Sequence, residues 1–164
     1  IINVGVRPVI GTTGLSSEQL KHLDAQLSQK QLGGLVVPNF SIGAVLMMRF
    51  AEQAAKYFSN AEIMEIHHNR KADAPSGTAI KTAQMMARQQ VEGFGRDNAP
   101  ETELIAGARG AEADGHIRIH SVRLPGMVAH QEVMLSGPGQ LLTIRHDSFD
   151  RACYMPGVLL AVRY

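Results

Sequence analysis

The sequence predicts a mixed chain: an α/β piece, then an α+β body with an antiparallel-rich sheet, then a closing helix. Three observations predict it. Two short apolar runs, Arg7-Pro8-Val9-Ile10-Gly11 and Leu35-Val36-Val37, bracket a stretch of helical periodicity. Three further strand-like runs follow His116, separated by Pro125-Gly126 and by Gly137-Pro138-Gly139. From Phe149 onward the pattern is helical again.

Taken in order, Arg7–Gly11 reads as a buried strand feeding the loop Thr12-Thr13-Gly14. Ser16, with Glu18 and Gln19 just after it, caps a helix running to about Lys30, with Leu20, Leu23 and Leu27 on its apolar face. Gly33-Gly34 stops that helix, and Leu35–Val37 is a second buried strand closed by Pro38-Asn39. Strand, helix, strand is one βαβ unit, which implies parallel pairing. Two strands do not make a stable sheet alone, so the rest of that sheet is expected elsewhere. The chain starts Ile1-Ile2-Asn3 without Met and is expected to be part of a longer protein.

Ser41 caps a second helix to about Phe58, and Glu62–His68 alternates as a strand. Ser76 caps a third helix, Gly77 to about Gln90, apolar at Ile80, Ala83 and Met86 or Ala87. His116–Leu124, Met127–Leu135 and Leu141–Arg145 read as an antiparallel meander whose edge strands, Met127–Leu135 especially, want a partner. Pro156 marks a break or a restart inside the last helical stretch.

Composition excludes several classes. Lys and Arg number 16 and Asp and Glu 15, a net charge of +1, which argues against nucleic-acid binding through bulk charge. No apolar run reaches the roughly 18–20 residues of a membrane helix. The single cysteine, Cys153, rules out an internal disulfide framework, reads as a buried thiol, and fits a reducing, cytoplasmic setting. With no Trp, the core must come from aliphatics and the 8 methionines.

Chemistry concentrates in Glu65-Ile66-His67-His68-Asn69-Arg70-Lys71-Ala72-Asp73-Ala74-Pro75-Ser76-Gly77-Thr78-Ala79. A strand end, a polar loop and a helix start bring imidazole, ammonium, guanidinium and free N–H groups together. That combination suits a carboxylate or phosphate. A histidine beside such an anion can donate a proton near neutral pH. The plainer reading is an exposed His pair with Asp73 and Ser76 as caps. No metal site is expected: His67 and His68 point to opposite faces, and His116 and His120 share a strand face with no carboxylate motif. The Gly11-Thr12-Thr13-Gly14 loop is either an ordinary turn or a cofactor contact at a strand's carboxyl end.

The segment Glu65-x-His67-His68-x-x-Lys71-x-Asp73-Ala74-Pro75-Ser76-Gly77-Thr78-Ala79 resembles the signature of the 4-hydroxy-tetrahydrodipicolinate reductase (dihydrodipicolinate reductase) family. Val9–Gly14 and Pro38–Gly43 resemble two further family segments in the right order, and the wording is similar to the cyanobacterial branch. The resemblance implies NADH- or NADPH-dependent reduction of a cyclic dicarboxylate in lysine biosynthesis by a homotetramer. It implies that residues 1–38 are the end of a Rossmann nucleotide-binding domain, 39–146 a substrate and oligomerisation domain, and 147–164 a helix returning to the first. By position, His67 becomes the proton donor and Lys71 assists it while holding a carboxylate. His68, Ser76, Gly77 and Thr78 become substrate contacts. Gly11, Thr12, Thr13, Pro38, Asn39, Phe40 and Arg151 become cofactor contacts. The family's glycine-rich phosphate loop has no counterpart in these residues, so NAD-versus-NADP preference is not readable. The alternative is a non-catalytic module that binds a dicarboxylate and tetramerises.

Overall fold

The computed structural model describes residues 1–12, 15–90, 92–95 and 99–163. The chain divides into two compact units: residues 1–42 with 154–164, and Gly43–Cys153.

In the first unit, β1 (Val9–Ile10) and β2 (Leu35–Val36) pair in parallel, as the βαβ pattern predicts. Between them runs α1 (Ser17–Gln29). Its start is a full capping box: Ser16 Oγ accepts from the Gln19 N–H at 3.2 Å, and Gln19 Oε1 accepts from the Ser16 N–H at 2.8 Å. Leu27 is its buried anchor, while Leu20 is exposed. The closing segment is a short 3-10 turn, Arg151–Tyr154, followed by α4 (Met155–Arg163). Pro156 thus sits in a first turn, where its missing N–H costs nothing. Gly157 lets α4 lie directly on the backbone of Phe40; a Cβ there would fall on the Phe40 carbonyl.

The second unit is a five-stranded sheet with two helices. Its strands are β3 (Asn60–His67), β4 (Ala111–Glu112), β5 (Arg118–Arg123), β6 (Ala129–Gly137) and β7 (Gln140–Ser148). Their order is β4-β5-β3-β6-β7. The expected meander is therefore corrected: β3 lies between β5 and β6, parallel to the first and antiparallel to the second. The register explains it. Ile63 faces Ile119 on one side and Val133 on the other, and all three are fully or nearly fully buried. The two strands with the most buried positions, β3 with three and β6 with four, both have neighbours on each side. The Pro125-Gly126 segment accordingly spans two strand spacings instead of closing a hairpin. It also follows that Met127–Leu135 supplies an interior strand, and the edges are β4 and β7. β6–β7 is a tight hairpin, closed by Pro138 and by Gly139 at φ +72°, and β4–β5 pair antiparallel across the 3-10 turn at residues 114–116.

The helices α2 (Ile42–Ala55) and α3 (Gly77–Ala87) end three residues before the sequence suggests in each case, at Ala55 and Ala87. Ala51, Ala55, Ala79 and Ala83 carry almost no side-chain bulk, so both helices approach the sheet closely over Ile63, Ile117, Ile119, Val133 and Leu135. Ile80 falls beside that face and is 39% exposed, against the expectation. Met47, Met48 and Met85 form a second cluster, so methionine does help fill the interior. Cys153 is only half-buried, its Sγ 3.4 Å from Ser148 Oγ. His116 is not on a strand: it ends a 3-10 turn, Asp114–His116, with φ +61°. Contrary to the expectation of no carboxylate, His116 lies beside Glu112 at 2.8 Å and His120 beside Glu62 at 2.7 Å.

Candidate active site

One face of β3 reads Ala61, Ile63, Glu65, His67, three buried residues and then a part-exposed histidine at the strand's end. The parallel neighbour β5 ends at the same level, with Arg123 opposite His67. The chain then loops through residues 68–75 and enters α3. Ser76 caps that helix, its Oγ accepting from the Ala79 N–H at 3.2 Å. A strand end, a strand neighbour and a helix start thus meet at one place.

Glu65 is the hub. Its side chain is fully buried. Oε2 lies 2.5 Å from His67 Nδ1 and accepts from Arg123 Nη1 at 2.8 Å. Oε1 accepts from Arg123 Nη2 at 2.8 Å and from the Ser76 N–H at 3.2 Å. Burial on its own would raise the carboxyl pKa. Hydrogen bonds from His67, Arg123 and Ser121 overcome that and hold it at about 2. Arg123 Nη2 also donates to the Asp73 carbonyl at 2.8 Å, so the same guanidinium ties down the loop.

On the loop, Lys71 Nζ donates to Asp73 Oδ2 at 2.6 Å, and this ammonium keeps the Asp73 carboxyl below its ordinary value. Asp73 is exposed, whereas the Lys71 side chain is largely covered. Nδ1 of His68 is buried and has no hydrogen-bond partner among the described residues. Gly77, at the first helical position, has a backbone N–H with no intrahelical acceptor. Thr78 contributes its carbonyl to the Thr82 hydroxyl at 2.8 Å. His67, His68, Lys71, Ser76, Gly77 and Thr78 therefore all belong to one strand-end, loop and helix-start assembly.

The other predicted residues lie elsewhere. Gly11 and Thr12 follow β1, and Pro38, Asn39 and Phe40 follow β2, at the carboxyl ends of parallel strands. Gly11 packs against the Phe40 ring: a Cβ on it would lie 2.5 Å from Cε2. Asn39 Oδ1 accepts from the Ser41 N–H at 2.8 Å. Thr13 lies outside the described residues. Arg151 stands exposed in the 3-10 turn of the second unit.

Sequence reasoning quoted Glu65 in the motif without giving it a role, and it passed over Arg123. The signal for Glu65 was present: a carboxylate on the core-facing side of an alternating strand requires a buried partner. The partner is 58 positions away and leaves no local trace.

Fold and site together define the class: a mixed α/β protein in which a histidine on a buried carboxylate, a lysine-bearing loop and a capped helix start meet at one strand end. The family model described as "Dihydrodipicolinate reductase, C-terminus" matches residues 43–164. The chain belongs to the dihydrodipicolinate reductase family. It is 57% identical over 162 residues to 4-hydroxy-tetrahydrodipicolinate reductase of the cyanobacterium Synechococcus elongatus, covering 99% of this chain and 59% of the relative. It is 59% identical over 163 residues to the Listeria monocytogenes reductase, covering 99% of this chain and 61% of that one. Among solved structures it superposes with TM-score 0.83 and 53% identity on a dipicolinate-bound dihydrodipicolinate reductase from Paenisporosarcina sp. TG-14, covering 99% of this chain and 60% of that one. The chain thus spans about three fifths of the length of these relatives.

Proposed function

We propose that the protein carries out NAD(P)H-dependent reduction of 4-hydroxy-2,3,4,5-tetrahydrodipicolinate to tetrahydrodipicolinate, in the diaminopimelate route of lysine biosynthesis. The observation that carries this is His67 at the strand end, backed by a buried carboxylate and flanked by Lys71 and the α3 helix start. A dicarboxylate needs two cationic or N–H-rich sockets. Lys71 and His68 make one, and Ser76, Gly77 and Thr78 at the positive end of α3 make the other. NADH or NADPH, when bound, supplies the hydride. Its nicotinamide end is assigned to Gly11, Thr12, Thr13, Pro38, Asn39, Phe40 and Arg151, and the Gly11–Phe40 packing at two parallel strand ends fits such a ligand.

Within that reaction His67 gives a proton to the ring of the substrate, and Lys71 neutralises the adjacent carboxylate. Residues 1–38 and 147–164 are assigned to a nucleotide-binding Rossmann domain, and 39–146 to a substrate and tetramerisation domain. On one sheet face Met64, Ile66, Val122 and Met134 are only half-buried, whereas Ile63, Ile119, Val133 and Leu135 at the centre of the opposite face are buried, which supports assembly through the sheet. A cytoplasmic setting goes with this reading; no helix among the described residues is long and apolar enough to cross a membrane.

The test is His67→Gln in the full-length protein. Turnover should fall by about 10²-fold or more while binding of 2,6-pyridinedicarboxylate, measured by calorimetry, changes little. Unchanged turnover sinks the proton-donor role. Dicarboxylate binding with no nicotinamide-dependent turnover in the parent protein points instead to a non-catalytic module.

A further inference from the structure

We propose that Glu65 is the positioning residue of this site: its buried carboxylate holds the Nδ1 N–H of His67 and thereby makes Nε2 the atom through which the proton passes. This rests on the reductase reading above and adds the residue that fixes how the histidine acts.

Three observations carry it. First, the two groups are 2.5 Å apart, and the carboxylate can only accept, so the ring nitrogen facing it carries the hydrogen. Second, Glu65 is not free to turn away. Arg123 grips both of its oxygens at 2.8 Å, and the Ser76 N–H adds a third bond. Third, the ring it holds is part-exposed at 16%, while Glu65 itself is at 0%. The arrangement is a buried anchor under an accessible imidazole, the geometry by which a carboxylate selects one tautomer of a catalytic histidine.

The proton bookkeeping is simple. In the imidazolium both nitrogens carry hydrogen. The Nε2–H bond breaks as the proton moves to the substrate ring, and its electron pair stays on Nε2. The ring left behind is the neutral Nδ1–H tautomer, which is the one Glu65 accepts from. Before and after the transfer, the Nδ1–H bond to Glu65 is intact, so the histidine need not rotate between turnovers. Because Ser76 and Arg123 share the same carboxylate, Glu65 also fixes the helix start and, through the Asp73 carbonyl, the loop bearing Lys71. One buried group aligns the donor with the anion socket.

The experiment uses full-length protein with 15N-labelled histidine, wild type and Glu65→Gln. In the wild type at a pH where the ring is neutral, the His67 nitrogen shifts should show Nδ1 protonated and Nε2 bare. In Glu65→Gln the ring should shift toward the Nε2–H tautomer, and kcat should fall about 10–100-fold with KM moving less than about threefold. A wild-type ring protonated on Nε2 overturns the proposal without any variant, so a Glu65→Gln protein that fails to fold leaves it testable. A folded Glu65→Gln protein with wild-type kcat or an unshifted tautomer overturns it as well. The parallel His67→Gln assay keeps the two readings apart. If His67→Gln retains full turnover, the proton-donor reading falls. If His67→Gln is inactive while Glu65→Gln is not impaired, only the positioning role falls.

Discussion

Replacing Arg123 by Leu should destabilise the protein by about 3 kcal/mol at neutral pH. Two features of the structure bear on the magnitude. Arg123 makes two charge-assisted bonds to a carboxylate with no exposure to water. Removing one partner of a buried ion pair generally costs about 3–5 kcal/mol, because the other charge is left uncompensated. Separately, the Glu65 carboxyl sits at about 2 against an ordinary 4.5. That gap is worth about 3 kcal/mol of favourable interaction with the ionised form; His67, Arg123 and Ser121 share it, so the rest of the Arg123 cost comes from leaving Glu65 buried without its cation. The sign follows from the depressed value. The stabilisation is present in full above pH 4.5 and is lost as pH falls toward 2. Urea unfolding checks this. With a slope of about 2 kcal/mol per molar, the midpoint should drop by about 1.5 M at pH 7, with the slope unchanged. The gap between variant and parent should narrow as pH is lowered from 4.5 toward 2. The double replacement Glu65→Leu, Arg123→Leu should recover much of the loss, since no buried charge remains. A single variant within about 0.5 kcal/mol of the parent, or a double variant worse than the single, refutes the reasoning.

Two further outcomes are expected. Gly157→Ala drives a methyl into the Phe40 carbonyl and should cost at least about 2 kcal/mol, read as an earlier thermal transition; an unchanged transition would mean that α4 does not rest on that segment. Lys71→Ala should weaken 2,6-pyridinedicarboxylate about 10–100-fold by calorimetry, the worth of one charged hydrogen bond, and lower turnover as well; equal affinity in the two proteins would remove Lys71 from the anion socket.

What could be read in advance was what is local. The α1 capping box is Ser16 and Gln19, three residues apart, and its chemistry is complete within one turn. The start of α3 at Ser76 and the hairpin at Pro138-Gly139 are equally local. The strand order was not, because it depends on how the buried positions of distant strands meet once all are present. Ile63 answers that by meeting Ile119 and Val133 together, positions 56 and 70 residues further on. His116 misled because its alternation with Ile117 and Arg118 looks extended, while Gly115 at φ +71° turns the backbone just before it. Of the residues that meet at the strand end, those of the contiguous segment 65–79 could be singled out together, Glu65 without its role, whereas Arg123 on β5 could not.

The same contrast separates the site's two cations. Arg123 and Lys71 each have a carboxylate partner at bonding distance, so a count of charges makes them equivalent. Their surroundings do not. The partner of Arg123 is fully buried, whereas Asp73 is 66% exposed. An exposed pair is worth at most about 1 kcal/mol and is screened by salt. Lys71 can therefore leave Asp73 for a ligand carboxylate at little cost, while Arg123 cannot leave Glu65. Arg123 is held for shape, and Lys71 is the cation that the proposed function assigns to the ligand. On the proposed function, a substrate with two carboxylates would meet a site whose His67 and loop are held through Glu65 and Arg123, with Lys71 the group free to move.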